Sequence, residues 1–157
     1  MKINLYRICG ERFVRSLDGK GAEISGGRWN SIGTPMIYTS MAQSTCTLEK
    51  LAHTDIDLLP SNLVLITFSL EILDEEPILE LSTLPLTWDN LPPTEDTQIL
   101  GNKFIQDKKG VALRVPSVLS VNDYNVLINP NHLNISKLKI ANLEAFSFDP
   151  RLLPTSY

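Results

Sequence analysis

Short apolar segments are spread along the whole chain, and several of them alternate with polar residues in the way that is typical of β-strands. The clearest is 62–70, NLVLITFSL, which lies between Pro60-Ser61 and a run of acidic residues. Residues 3–9, INLYRIC, predict a strand that carries Tyr6 and Arg7. The complete set of predicted strands is 3–9, 35–39, 62–70, 77–81, 111–115, 124–129, 137–141 and 145–149.

Two segments have helical periodicity instead. The first runs from Ser40 to about Thr54, and its opening residues Ser-Met-Ala-Gln match a capping box. A shorter helix is predicted over 96–107, after an irregular connection at 82–95 that contains three prolines. Strands outnumber helices and do not alternate with them regularly, so the pattern predicts an α+β fold with a mixed or antiparallel sheet.

Composition limits the class of protein. A chain of 157 residues is most simply one domain, over 1–157, and its 43% hydrophobic and 20% charged residues are ordinary for a globular protein. The longest apolar runs are too short to span a bilayer, and the N-terminus lacks the apolar core of a signal peptide. Cys9 and Cys46 do not suggest a disulfide framework. We therefore expect a cytoplasmic protein without membrane contact.

Charge and motifs exclude further classes. The net charge of −4 and a pI near 5.1 argue against direct binding of nucleic acid, which requires a basic surface. The chain contains no C-x-x-C, H-E-x-x-H, P-loop or G-x-G-x-x-G sequence. His53 and His132 are the only histidines, so we expect no metal site, no prosthetic group and no Ser-His-Asp triad.

A Gly-rich segment, SGGRWNSIGTPMIYTS at 25–40, is the first candidate for function. A plain surface loop has little use for the adjacent Arg28 and Trp29. One interpretation is a long hairpin that buries its tryptophan, and the other is a backbone bend that presents Arg28, Asn30 and Tyr38 to a ligand. The segment alone does not decide between them.

Glu49 is the second candidate, because it falls on an unexpected side of the predicted helix. Met41, Leu48, Leu51 and Ala52 are expected to form the inward stripe, and Glu49 projects at its border among small residues. A carboxylate there must be paired or face a cavity, since burying an unpaired charge costs several kcal/mol. It is either an ion-pair partner of an arginine, the candidates being Arg7, Arg28 and Arg114, or the acidic group of a pocket.

Ser117 is the third candidate. It follows Pro116 at the end of the predicted strand LRVP, where a hydroxyl group can reach a ligand. A serine after a proline is also a common turn or cap residue, so this position permits both interpretations.

Taken in order, these segments resemble the RES-domain toxins of bacterial toxin–antitoxin pairs. The resemblance extends from Tyr6 to Leu153 and rests on the motifs YRI, GGRWN, MIYTS, TLEKL, LRVPS, YNVLINP and FSFDPRLL. It implies a fold related to the ADP-ribosylating toxins, NAD+ as the substrate, and a cognate antitoxin with an Xre-type helix-turn-helix DNA-binding domain. It also implies active-site roles for Arg28, Tyr38, Glu49 and Ser117.

The chemistry of NAD+ suits these residue types. An arginine fork can bind the pyrophosphate, and a tyrosine ring can stack on the cationic nicotinamide. Cleavage of the nicotinamide–ribose bond creates oxocarbenium character, which the Glu49 carboxylate would stabilise. Ser117 would orient the ribose or the nucleophile, and Arg7 and Asn30 would make secondary contacts.

We therefore predict a toxin that degrades NAD+, with water or phosphate as the acceptor. The alternatives are an ADP-ribosyltransferase that modifies a host protein and a non-catalytic nucleotide-binding or interaction module.

Overall fold

The computed structural model describes residues 1–154 and contains one seven-stranded mixed sheet. Its strands are β1 (Lys2–Gly10), β2 (Ile37–Ser40), β3 (Leu63–Glu71), β4 (Leu79–Glu80), β5 (Ala112–Pro116), β6 (Tyr124–Ile128) and β7 (Leu138–Phe146). The spatial order is β4-β5-β6-β2-β1-β3-β7. Every neighbouring pair is antiparallel except β4 and β5, which are parallel.

In the described part of the chain, 1–154, three α-helices accompany the sheet: α1 (Lys20–Ser25), α2 (Gln43–Ala52) and α3 (Glu95–Asp107). None of the helices within residues 1–154 has the length and apolar character needed to cross a membrane. The arrangement confirms the predicted α+β class and mixed sheet.

The individual elements agree with prediction except at three places. One continuous strand, β7, joins the predicted strand 137–141 to the first two residues of 145–149, and the residues 147–149 are not in a strand. The register of β7 against β3 shifts at Thr67/Phe68. Helix α1 was not predicted, because its sequence KGAEIS has no apolar periodicity. The predicted capping box is wrong, since α2 begins at Gln43 and Ser40 ends β2.

Both faces of the sheet carry a core. One face holds the largest cluster, with Leu5, Ile66 and Phe68 at its centre. The other face holds two clusters, which are built around Trp29 with α3 and around Cys46 with α2. Tyr38 and Glu49 lie on this second face, which α2 covers, whereas Arg7 lies on the first.

Candidate functional site

Helix α2 turns a side of mixed polarity toward the sheet, with Cys46 and Leu51 against an apolar cluster and Thr45 and Glu49 against polar groups. Thr45 and Cys46 are its buried residues, whereas Leu48 is 37% exposed and Met41 is 36% exposed. The predicted inward stripe is therefore wrong for Met41, Leu48 and Ala52, which are exposed, whereas Leu51 packs against the Cys46 cluster. The reason is that Thr45 and Glu49 find hydrogen-bond partners in the segment 117–123 and in β6 that a leucine could not use.

The Glu49 carboxylate is held by two neutral donors. Its Oε1 accepts a hydrogen bond from the Ser117 hydroxyl at 3.0 Å and from the Asn125 side-chain amide at 2.6 Å. Within residues 1–154 no ion pair within 4.0 Å includes Glu49, and Arg114 pairs with Glu80 instead. The proposed arginine partner is thus not found, and the second interpretation, a carboxylate that faces an open site, is the one the geometry favours.

The two oxygens of Glu49 have different surroundings. Oε2 makes no hydrogen bond to any residue of 1–154, although the side chain as a whole is half-buried. Among residues 1–154, every side-chain oxygen or nitrogen atom that is shielded from solvent has a hydrogen-bond partner. Oε2 therefore reaches solvent, and it is the oxygen available to a ligand.

Ser117 is fixed where β5 turns into the 117–123 loop. Its backbone N–H donates to the Asp123 carbonyl at 2.9 Å, and its hydroxyl accepts from the Leu119 N–H at 3.2 Å. The Asp123 carboxylate in turn accepts from Thr45 of α2 at 2.8 Å and from Ser120, and these hydrogen bonds hold its pKa below the usual range. The loop is thus tied directly to the helix that carries Glu49.

The Gly-rich segment is organised around Asn30, which is fully buried. Its amide nitrogen donates to the carbonyls of Ala22 at 2.7 Å and Thr34 at 3.0 Å, and its amide oxygen accepts from the Tyr38 hydroxyl at 2.7 Å. The Tyr38 oxygen also accepts from the Trp29 N–H at 3.0 Å. These contacts make Asn30 a structural residue of the loop, and the predicted ligand contact of Asn30 has no support.

Burial raises the pKa of Tyr38, so its phenol stays protonated at neutral pH and can donate to Asn30. The close approach of the loop requires a glycine, since a Cβ at Gly27 would lie 2.8 Å from the Tyr38 oxygen. The GGR sequence and Tyr38 therefore belong to one packed unit. Because the Tyr38 hydroxyl is engaged by Asn30 and Trp29, only the exposed part of this half-buried side chain could contact a ligand.

Arg28 extends from this loop toward the Pro-rich 82–95 segment. Its Nη1 donates to the carbonyls of Trp88 at 2.9 Å and Asn90 at 2.8 Å. Within residues 1–154 its Nη2 and Nε make no hydrogen bond. One edge of the guanidinium thus holds the 82–95 segment, and the other nitrogens are available to an anion.

Tyr38 lies close enough to two charged groups for both to affect its pKa. Burial raises this pKa most, the Arg28 guanidinium lowers it and the Glu49 carboxylate raises it. Tyr38 and Ser40 share one face of β2, and Ser40 is paired across the sheet with Asn125. The structure therefore brings Arg28, Tyr38, Glu49 and Ser117 into one region.

Arg7 is not joined to this network. It follows Tyr6, which faces Ser40 across β1 and β2, so its side chain leaves the strand on the opposite face. Its Nη1 lies 3.5 Å from the Ser16 carbonyl oxygen. The predicted contact of Arg7 with a ligand therefore gains no support from the geometry.

Two residues of the network were not identified from the sequence. Asn125 donates to Glu49, and its own oxygen accepts from the Ser40 hydroxyl at 2.7 Å. The alternation of β6 places Asn125 on the same face as the buried Leu127, and a polar residue on a buried face was the signal that could have identified it. Ser40 was assigned to a helix cap instead.

Comparison with known proteins identifies relatives over nearly the whole chain. The RES domain family matches residues 4–149. The chain is 34% identical over 151 residues to the protein named Toxin Res of Yersinia enterocolitica, with 94% of this chain and 98% of that protein covered. It is 31% identical over 139 residues to the Prs ADP-ribosylating toxin of a Sphingobium strain, with 87% and 86% covered.

A solved structure has the same fold. A chain of the crystal structure of the M. tuberculosis MbcT–MbcA toxin–antitoxin complex superimposes with a TM-score of 0.72 at 18% identity, covering 94% of this chain and 85% of that chain. The resemblance seen in the motifs is confirmed by the family match and by these relatives. This chain belongs to the RES-domain family.

Proposed function

We propose that this protein is the toxin of a toxin–antitoxin pair and that it destroys NAD+ by cleaving the nicotinamide–ribose bond. One observation supports the chemistry more than any other. Glu49 is a half-buried carboxylate with no cationic partner within 4.0 Å among residues 1–154, and it keeps one oxygen free toward solvent.

Such a carboxylate is suited to stabilising positive charge that develops during a reaction. When the C1′–N bond of the ribosyl–nicotinamide unit breaks, the bonding electrons pass to the ring nitrogen and nicotinamide leaves as a neutral molecule. No general acid is required for this step. The ribose then carries oxocarbenium character, which Glu49 Oε2 stabilises by its negative charge until a nucleophile adds to C1′.

Arg28 and Tyr38 have supporting roles in this proposal. The unoccupied Nη2 and Nε of Arg28 form a two-donor edge that fits a pyrophosphate oxygen pair. The Tyr38 hydroxyl is engaged by Asn30 and Trp29, so Tyr38 contributes its ring face to nicotinamide rather than a proton. Ser117 donates a hydrogen bond to Glu49, and its proposed role toward the substrate is to orient the ribose.

The acceptor decides the product. Attack by water gives ADP-ribose and a proton, and attack by phosphate gives ADP-ribose carrying a phosphate at C1′ of the cleaved ribose. A protein acceptor is the second candidate, because one relative is named an ADP-ribosylating toxin. In that case a side-chain nucleophile of the target would attack the same carbon.

The assay uses the purified protein with NAD+, with and without phosphate, followed by chromatography of nicotinamide and of the ribosyl product. We expect stoichiometric release of nicotinamide, and the product shows which small acceptor was used. Binding of NAD+ without nicotinamide release would instead identify a non-catalytic nucleotide-binding module. Release that occurs only with a host extract, together with labelled protein from labelled NAD+, would identify the ADP-ribosyltransferase.

The toxin assignment is tested by a separate experiment on bacterial growth. Production of this chain alone in bacteria should lower cellular NAD+ and arrest growth, and coproduction of a cognate antitoxin with an Xre-type helix-turn-helix domain should restore growth. A Glu49→Gln chain produced at the same level is the matched control, and it should permit growth. Normal growth with soluble, folded wild-type protein would contradict the toxin assignment without contradicting the chemistry.

A further inference from the structure

We infer that Asn125 is a positioning residue for Glu49: by binding Oε1 from β6, an internal strand of the sheet, it directs Oε2 toward the substrate. This inference rests on the proposed role of Glu49 and concerns how that carboxylate is aimed.

The orientation of the Asn125 side chain follows from its partners. An ionised carboxylate is only an acceptor, so the group 2.6 Å from Glu49 Oε1 must be the amide nitrogen. The amide oxygen then faces Ser40, whose hydroxyl donates to it at 2.7 Å. Ser40, Asn125 and Glu49 thus form a directed chain in which each donor has one partner and the amide cannot flip without losing both bonds.

Asn125 is also better fixed than the second donor. In β6 it pairs with Ser40 of β2 on one side and with Val115 of β5 on the other. Ser117 belongs to the 117–123 loop, outside the ladder. The sheet therefore supplies the reference position for the carboxylate, since groups on regular elements hold their geometry more closely than groups on loops.

Both donors bind the same oxygen, and this has a consequence for function. Oε1 is saturated by Ser117 and Asn125, so rotation of the carboxylate would break two hydrogen bonds at once. Oε2 stays free and faces solvent. Loss of the Asn125 donor should leave Glu49 present but misdirected, which lowers kcat more than it raises KM.

The decisive variant is Asn125→Asp, which preserves size and replaces the donor with a second carboxyl group. At high pH the two ionised carboxylates repel each other, and Glu49 is displaced. At lower pH the pair retains one proton, and the protonated aspartic acid can donate to Oε1 as the amide does. We expect the ratio of variant to wild-type kcat to rise on the order of 10-fold between pH 8 and pH 5, because the hydrogen bond to Oε1 is regained as the pair takes up a proton.

Other charged and titratable groups also face Asn125 and Glu49. They are Tyr6 from β1, Tyr38 from β2, Cys46 and Lys50 from α2, Asp123 from the 117–123 loop, and Arg28 from the Gly-rich segment. The pKa values of Tyr38 and Cys46 are raised by burial, and that of Asp123 is lowered by its hydrogen bonds. These three groups therefore keep one charge state between pH 5 and pH 8. All of the groups are common to wild type and variant, so the ratio isolates position 125.

Two variants complete the design. Asn125→Ala should lose kcat on the order of 10-fold at every pH, since it has neither donor nor titrating group. Asn142→Asp introduces the same change on the exposed part of β7 and should behave as wild type. Circular dichroism at each pH provides the folded fraction, so that loss of structure is not counted as loss of rate.

The possible outcomes distinguish failure of the proposed function from failure of the positioning role of Asn125. If wild type releases no nicotinamide, the proposed function fails. If wild type is active, a pH-independent ratio for folded Asn125→Asp, or wild-type kcat in Asn125→Ala, overturns the positioning role. A rising ratio that Asn142→Asp does not show supports it, and a purely structural role for Asn125 would not produce it.

Discussion

The Glu49 network and the Gly-rich segment both place polar side chains in a partly buried setting, but they use them differently. In the Gly-rich segment, the polar atoms of Asn30 and Tyr38 form hydrogen bonds with backbone groups and with each other. In the Glu49 network, side chains bind side chains, and one carboxylate oxygen is left without a partner in residues 1–154. The first arrangement fixes a loop, and the second holds a charge ready for a ligand.

The difference separates residues that are equally prominent in the sequence. Asn30 and Arg28 stand two positions apart in GGRWN, yet Asn30 is fully buried and satisfied, while Arg28 keeps two unoccupied nitrogens. Substitutions that disturb the packing of the Gly-rich segment should therefore lower the stability of the protein, and substitutions in the Glu49 network should lower the reaction rate.

The largest effect is expected at Gly101 of α3, which supports the Gly-rich segment. A Cβ there would lie 1.7 Å from the Trp29 carbonyl oxygen, so Gly101→Ala must separate α3 from the loop. We expect the free energy of unfolding to fall by about 3 kcal/mol or more, measured by urea denaturation. Gly21→Ala is the control, because a Cβ there meets nothing within 4 Å, and it should be neutral or stabilising by up to about 1 kcal/mol. Equal stability of the two variants would contradict this packing.

Glu49→Gln should produce the next largest effect, and on rate alone. A glutamine can still accept from Ser117 and Asn125 through its oxygen, so the thermal midpoint should change little. Nicotinamide release should fall by about 10²-fold or more, since the charge that stabilises the transition state is lost. Glu144→Gln, on the exposed edge strand, should change neither property. A normal melt with wild-type activity would remove Glu49 from the catalytic site.

Arg28→Lys tests whether the loop also contributes to binding. An ammonium group keeps the charge but cannot contact a pyrophosphate through two parallel donors, so kcat/KM for NAD+ should fall about 10-fold. Arg114→Lys changes another half-buried arginine, one that pairs with Glu80 and lies 4.6 Å from the centre of the Tyr124 ring. It should leave kcat/KM unchanged. If both variants bind and turn over NAD+ normally, Arg28 serves only to hold the 82–95 segment.

The smallest effect concerns Cys46, which lies beneath Glu49 in α2. Burial raises the pKa of its thiol to about 12 from an ordinary value of 9.0. The unfolded chain therefore releases this proton at lower pH than the native protein, and stability that is present below pH 9 is lost as the pH rises toward 12. The slope should be steeper in wild type than in Cys46→Ala, by up to about 1 kcal/mol per pH unit between pH 9.5 and 10.5. Parallel slopes in urea denaturation would show that the thiol titrates normally.

Much of the fold followed from local patterns. The strands at 62–70 and 111–115 were recognisable because apolar runs bounded by proline, serine or glycine need little tertiary information. Helix α2 was found, but its orientation was only partly predicted, because the expected hydrophobic stripe assumed an apolar surface below it. The sheet there is polar at Ser40 and Asn125, so Thr45 and Glu49 turn inward while Leu48 and Ala52 are exposed.

The sequence by itself determined the α+β class, the family motifs and the unusual position of Glu49, since these depend on residue type and spacing along one chain. The tertiary structure alone decided which polar groups meet. Asn125 is 76 residues from Glu49 and 85 from Ser40, and only the order of β5, β6 and β2 in the sheet brings them within hydrogen-bond distance. The physical reason is that a hydrogen bond depends on the position and direction of two groups in space, and separation along the chain specifies neither.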